Sequence, residues 1–239
     1  MLNFCRKHTL EEAGVFNGMT DWHSHILPGV DDGFKSIEDS INTLEQYVQA
    51  GIKEVWLTPH IMEDVPNTTE NLHLRFEELR EAWHGEVQLH LAAEYMVDTL
   101  FEERLDSGDL LPLGREGRHL LVETSYYNPP ARMLAVLSEI KSKGYFPVLA
   151  HPERYEYMDM RYYALMSDTG VRFQLNLGSL AGIYGRHIQK KALHLLHKGY
   201  YDIIGTDLHR TAQLRLLLET PCANRSICRI LASGKFMNI

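Results

Sequence analysis

Phe146-Pro147-Val148-Leu149-Ala150-His151-Pro152-Glu153-Arg154 joins a short apolar run to a histidine, a proline stop and two charged residues. Without clean alternation, such a run reads as a strand covered on both faces, the kind found in parallel sheets. The pattern recurs on either side of it. Val55-Trp56-Leu57 leads through Thr58 and Pro59 to His60, Val87 to Ala93 leads to Glu94, and His119 to Val122 leads to Glu123. Phe173 to Leu177 is a further run, and Tyr201 to Ile204 precedes Asp207. A metal-ligating residue type therefore stands where one strand after another stops.

Helical stretches separate these runs. Ser36 stands before Ile37, Ile41, Leu44 and Val48 at helical spacing, with Asp39 as the capping-box acid and Gly51 as the stop. Further helices are predicted over Thr69 to Trp83, Ala131 to Lys143 before Gly144, and Arg186 to Lys198 before Gly199. Strands alternating with helices imply βα units, and an α/β barrel is their natural closure. In such barrels the C-terminal rim carries the chemistry, so the residues ending each strand converge on one mouth.

The 239 residues suffice for one core, with a 44% apolar and 23% charged composition near globular averages. A single domain is expected, with residues 1–18 as an N-terminal extension and 19–239 as the barrel. The formal charge of −8 argues against nucleic acid as the main partner, since that affinity rests on Lys and Arg meeting phosphates. Cys5, Cys222 and Cys228 are an odd count without C-x-x-C, which fits a reducing cytoplasm rather than a disulfide framework. No stretch of about 18 uncharged apolar residues suggests a membrane span, and no leader is seen. The sequence carries no signal for an oligomeric state.

His23-Ser24-His25 and Asp207-Leu208-His209 share x-spacing. On an extended segment, i and i+2 lie on one face, so each pair can grip an ion. Pro28-Gly29-Val30-Asp31-Asp32-Gly33 is first a tight turn, with one of its carboxylates poised beside the histidines. Thr58-Pro59-His60 and His151-Pro152-Glu153-Arg154 read equally as strand ends with proline stops. Glu94 and Glu123 directly follow apolar runs, where an unpaired charge costs several kcal/mol; either an arginine or a metal must answer it. Of the 13 histidines, His8, His73, His84, His90, His119, His187, His194 and His197 have no comparable setting and read as structural or exposed. Tyr126-Tyr127-Asn128-Pro129-Pro130 is most simply a loop, placed so that a tyrosine lines the mouth.

Taken in order, HxH, DDG, TPH, a central Glu, a second Glu, HPER and DxH resemble the polymerase and histidinol phosphatase (PHP) family. Asp21 to Gly33 looks like its bacterial branch of tyrosine-protein phosphatases of capsule and exopolysaccharide synthesis, and the likeness runs from about Thr20 to His209. The resemblance implies a distorted (β/α)7 TIM-like barrel of the PHP type holding three divalent ions, manganese first, with iron or zinc as alternatives. It assigns His23, His25 and Asp207 to the first ion, with Glu94 bridging to a second that Glu123 and His151 complete. Asp32, His60 and His209 would hold the third. Many relatives have histidine where Glu123 stands, and glutamate there looks like the tyrosine phosphatase branch. Arg154 would bind a phosphate oxygen, with Arg210 and Arg215 both candidates for a second arginine.

Three ions would bring about +6 against about −4 from Asp32, Glu94, Glu123 and Asp207, so an acidic protein can attract a phosphate dianion. A metal-bridging hydroxide would then attack phosphorus. The cysteine route needs an arginine six residues after the nucleophile; Cys228, Gly234 and Glu11 stand there instead. The implied substrate is a phosphotyrosine protein, foremost a bacterial tyrosine kinase of polysaccharide synthesis. Two alternatives stand beside it: a small-molecule phosphoesterase such as a histidinol-phosphate phosphatase, and a noncatalytic metal-stabilised binding module.

Overall fold

The computed structural model describes residues 7–233, 236 and 239. In chain order the elements are β1 (Thr20–Ser24), α1 (Ile37–Ala50), β2 (Glu54–Leu57), β3 (His60–Ile61), α2 (Thr69–Ala82), β4 (Gln88–Leu91) and β5 (Glu94–Met96). They continue with α3 (Thr99–Ser107), β6 (His119–Glu123), α4 (Met133–Ser142), β7 (Phe146–Leu149), α5 (Met160–Asp168), β8 (Arg172–Asn176), α6 (Leu177–Ala181) and α7 (Arg186–Lys198). Last come β9 (Ile203–Gly205), α8 (Thr211–Glu219) and α9 (Arg225–Leu231).

Every strand pairing is parallel. One sheet runs β1-β2-β4 and the other β3-β5-β6-β7-β8-β9. The two are stitched together. Thr58 N–H donates to Ser24 O at 2.8 Å, Ala92 N–H to Leu57 O at 2.9 Å and Glu94 N–H to Pro59 O at 3.1 Å. At the other margin Asp207 N–H donates to His23 O at 2.8 Å and His25 N–H to Leu208 O at 3.0 Å, laying the end of β9 against β1. The result is an α/β fold with a curled parallel sheet. Proline 59 has no N–H to donate, so the ladder breaks after Leu57; the strand resumes at His60, one step beyond where the sequence places its end.

Curling divides the core in two. Trp22, Trp56, Leu121, Val148, Ala150 and Ile203 pack together inside the sheet. Leu120, Val122, Leu149 and Ile204, their neighbours along the same strands, pack outward beneath the helices. This two-sided burial is why the strands read as continuous apolar runs. α1 forms where its signals stand: the Ser36 side chain accepts from Asp39 N–H, and Gly51, with φ of 92°, closes the helix. α2, α4 and α7 lie within the expected spans. α9 falls in 220–239, a stretch whose sequence fits either a closing helix or an interaction tail, whereas α3, α5, α6 and α8 have no counterpart in the sequence pattern.

Leu10 and Phe16 are fully buried, and His8 pairs with Ala223, so the described part of 1–18 packs on the body of the fold. The first six residues of that stretch, with Cys5, lie outside the described residues, as do 234, 235, 237 and 238. Among the described residues no helix is long and apolar enough to cross a membrane.

Gly205 is what allows β9 to approach β1. A Cβ there would meet His23 Cβ at 2.5 Å and the His23 backbone nitrogen at 3.0 Å. Gly205→Ala is expected to lower stability by about 1–3 kcal/mol through this overpacking, measured as a drop in the urea midpoint.

Candidate metal centre

Asp21 pairs with Val55 and Ser24 with Leu57, three residues against two, so β1 carries a bulge at Trp22 and His23. The extra residue lets His23 and His25 face the same interior as Trp22. Past β1, Gly33 lets the acidic loop fold back on His25, whose carbonyl oxygen would lie 2.3 Å from a Cβ at that position. His60 and Glu94 are register partners on β3 and β5, and Glu123 ends β6 opposite Met96. His151 follows β7 and Asp207 follows β9 with φ of 34° and 52°, the left-handed values found at non-glycine residues only in these two among the described residues. Such conformations persist where the surroundings over-determine them, and both fall at this cluster.

Nine residues singled out in the sequence meet here. Glu94 Oε2 lies 3.2 Å from His23 Nε2, 3.3 Å from His25 Nε2 and 3.2 Å from His60 Nδ1. Glu94 Oε1 lies 3.0 Å from His151 Nε2. Glu123 approaches His60 Nδ1 at 3.3 Å and His151 Nε2 at 3.7 Å. Asp207 Oδ1 faces His23, His25 and His209 at 3.6, 3.5 and 3.4 Å. Asp32 Oδ1 faces His209 at 3.3 Å and His60 at 3.6 Å. Four overlapping groups have ligand atoms mutually within 4.8 Å: His25, Asp32, His60 and His209; His23, His25 and Asp207; His23, Glu94 and His151; His60, Glu94 and Glu123.

The surrounding hydrogen bonds test whether a cation fits. Asp31 Oδ2 takes His25 Nδ1 at 2.8 Å, and Gln174 Oε1 takes both His23 Nδ1 at 3.1 Å and His151 N–H at 3.0 Å. These partners place the ring protons of His23 and His25 on Nδ1, so in the neutral imidazoles both Nε2 atoms present lone pairs. Those two nitrogens stand 3.2 Å apart and both face Glu94 Oε2, which is buried without a hydrogen bond, as are His60 Nδ1 and His151 Nδ1. Imidazoles converging on a dry carboxylate need positive charge among them. Burial works to lower both His23 and His25, yet Glu94 and Asp207 raise His23 against it, and Asp31 with Asp207 and Glu94 raises His25; a bound cation would supply that charge in place of protons. The donor set of imidazoles and carboxylates suits a first-row divalent ion.

Electrostatics agree. Burial pushes the Glu123 carboxyl well above the usual range, with Glu94 and Asp207 adding repulsion. For Glu94 burial acts the same way, yet the His23, His151 and His25 imidazoles outweigh it and hold the carboxyl well below. Burial and the adjacent His25 push His60 down to about 4, leaving its imidazole neutral and able to coordinate near pH 7.

The arginines part company. Arg154, in the 3₁₀ turn Pro152–Arg154, donates from Nη1 to Asp207 Oδ2 at 2.9 Å. It lines the cavity of about 310 Å³ that the cluster opens into, with Met96, Thr124, Ser125, Tyr126 and Tyr127 on the same wall. Arg210, exposed at the start of α8, lines an adjoining cavity of about 300 Å³ with Asp32 and His209. Arg215 points into solvent, paired with Glu219 at 4.0 Å, and lines neither.

Sequence reading passed over the supporting groups. Asn176 Nδ2 donates to Asp207 Oδ2 at 2.7 Å, so that oxygen is held by Asn176 and Arg154 while Oδ1 turns to the imidazoles. Gln174 and Asn176 are polar at i and i+2 on an otherwise apolar β8, which was a readable signal. Asp31 was seen only as half of an acidic pair. Tyr184 carried no local signal.

Parallel strands whose C-terminal ends gather imidazoles and carboxylates define an α/β protein of the metal-dependent hydrolase type. The chain belongs to the capsular polysaccharide synthesis family CpsB/CapC, whose sequence model matches residues 19–225. The tyrosine-protein phosphatase YwqE of Bacillus subtilis is 30% identical over 80% of this chain and 77% of its own length. CpsB of Streptococcus pneumoniae, also a tyrosine-protein phosphatase, is 27% identical over 80% and 83%. In fold, the chain superposes with a TM-score of 0.75 on one of the crystal structures of YwqE and CpsB, described as unique metal-dependent tyrosine phosphatases. That match is 24% identical and covers 92% of this chain and 96% of the other.

Asp31 Oδ2 fixes the tautomer of His25 and also accepts the His60 N–H at 3.1 Å, so Asp31→Asn should weaken metal binding by about 10- to 100-fold, read by chelator competition.

Proposed function

We propose that this protein is a metal-dependent protein-tyrosine phosphatase whose substrate is a phosphotyrosine protein, foremost a bacterial tyrosine kinase of polysaccharide synthesis, in the cytoplasm. The observation that carries the reading is the convergence of three imidazole nitrogens on the unbonded Glu94 Oε2, in a chain of the CpsB/CapC family. Three divalent ions are the content that fits this reading, manganese foremost, with iron or zinc as alternatives. His23, His25, Asp207 and Glu94 would hold one; Glu94, Glu123 and His151 a second; and Asp32, His60 and His209 a third. The reading also takes β2 with β3 and β4 with β5 as single strands of a distorted (β/α)7 barrel, over residues 19–239, with 1–18 as an extension.

Bound there, divalent ions would supply Lewis-acid charge and lower the pKa of water toward neutrality. The chain's own groups do the rest. Arg154 stands in the cavity wall with its charge sustained by Asp207, and offers its remaining N–H donors to phosphoryl oxygens. Tyr126 and Tyr127 border the same space, suited to an aryl ester. A phenolate leaving group, whose conjugate acid has a pKa of about 10, needs little protonation, so no dedicated general acid is required. Arg210 extends the positive rim toward the neighbouring cavity.

A cysteine nucleophile finds no support. Burial pushes the Cys222 thiol up to about 11, away from the thiolate that such chemistry needs.

The test is phosphate release from a phosphotyrosyl peptide beside histidinol phosphate, using protein stripped of metal and then reloaded with manganese. Turnover of the peptide by the reloaded protein alone is expected, and preference for histidinol phosphate would overturn the assignment. His151→Ala should abolish turnover; full activity in that variant would point to a binding module instead. Arg154→Ala should lower kcat/KM by about 10²- to 10³-fold.

A further inference from the structure

The partly buried Arg154 guanidinium makes a single hydrogen bond among the described residues, from Nη1 to Asp207 Oδ2 at 2.9 Å. Beyond that bond, its guanidinium carbon lies 4.4 Å from the centre of the Tyr126 ring and 4.3 Å from the centre of the Tyr184 ring. The two tyrosines come from different parts of the chain, one from the loop after β6 and the other from the turn between α6 and α7. Each is itself anchored. Tyr126 O accepts the Glu156 N–H at 2.7 Å, which ties its loop to the segment just beyond Arg154. The Tyr184 hydroxyl lies 3.3 Å from Asn176 Nδ2 and 3.4 Å from Asp207 Oδ2, tying that ring to the carboxylate that holds the arginine.

We propose that Tyr126 and Tyr184 are positioning residues: their ring faces hold the Arg154 guanidinium in place while leaving its charge and its free N–H donors for the phosphoryl group of the substrate. This rests on the phosphatase reading above. The physical reason lies in how an arginine can be fixed. A guanidinium has five N–H donors in one plane, and a single hydrogen bond lets it pivot. A second carboxylate would stop the pivot, but it would consume donors and cancel the charge that a phosphate must meet. Aromatic faces attract the cation through their quadrupole and take no N–H in the plane. Two rings from separate segments, with centres 4.4 and 4.3 Å from the guanidinium carbon, restrain the group with its donors still available.

The test uses manganese-reloaded enzyme with Tyr126→Leu and Tyr184→Leu, the matching Phe variants, and each Leu change repeated in an Arg154→Ala background. Two quantities are read: kcat/KM on a phosphotyrosyl peptide, and the affinity for inorganic phosphate by calorimetry. Metal content and melting temperature are recorded for every variant. Each Leu substitution should cost about tenfold in both quantities, and each Phe substitution should return them to within about threefold, since the ring rather than the hydroxyl is at work. In the Arg154→Ala background the Leu substitutions should leave the affinity for inorganic phosphate unchanged, because the group they position is gone and inorganic phosphate has no aryl ring for Tyr126 to meet. The same tenfold loss of phosphate affinity in that background would overturn the proposal, as would wild-type behaviour of the Leu variants with Arg154 present. If the unsubstituted protein fails to hydrolyse the peptide yet binds phosphate, the phosphatase reading falls and the calorimetric arm still decides the role of the two rings. Absence of phosphate binding by the reloaded protein would overturn both.

Discussion

Glu94 Oε2 is surrounded by three imidazole nitrogens at 3.2 to 3.3 Å, in the interior, with no hydrogen bond to relieve it. Such a gathering of basic nitrogens and carboxylates in a dry place needs positive charge, carried by protons on the imidazoles or by a metal ion, because charge is poorly screened there. Holding them together requires that each ring be oriented from behind. Asp31 does this for His25, and Gln174 does it for His23 while also taking the His151 backbone N–H. Asp207 is oriented in turn by Asn176 and Arg154. The cluster is thus set by a second layer of hydrogen bonds, and a bound cation would take the place of the protons.

The fold bears the cost of this gathering in its backbone. His151 and Asp207 adopt left-handed conformations, and both are pinned: Asp207 N–H to His23 O, and His151 N–H to Gln174. β9 can lie close enough to β1 for the first of these bonds only because Gly205 presents no side chain to His23. Closure of the curled sheet and assembly of the centre are therefore one event, since β1 and β9 carry ligands and also make the seam.

Charge explains how a protein of net charge −8 can serve a phosphate ester. The acidic groups of the centre are those the ions would neutralise, and Arg154, paired through Nη1 alone with Asp207, adds a cation with donors to spare. Tyr126 and Tyr127 line the same cavity as the metal-type residues, so aromatic faces and charged groups border one space.

Local signals were legible without a structure. Ser36 and Gly51 bound α1 because capping and left-handed glycine are properties of a few adjacent residues, and the apolar runs read as buried parallel strands for the same reason. The His, Asp and Glu positions were legible because all but Asp32, which lies in the loop after β1, stand at or just past a strand end. What stayed out of reach depended on pairing between distant segments. The bulge in β1 decides that His23 and His25 face inward, and it exists only in the register of β1 on β2. Arg210 rather than Arg215 borders the cluster because α8 directs Arg215 to solvent. α3, α5 and α8 are nine residues each, too short for helical periodicity to stand out, although Asp98 and Asp159 cap α3 and α5 and Gly108 closes α3. The sequence by itself determined which chemistry the chain carries and in what order, since ligand type is a property of single residues. Tertiary structure alone decided which nitrogen faces which oxygen and which rings flank the arginine, because those distances are set by register and packing across the whole sheet.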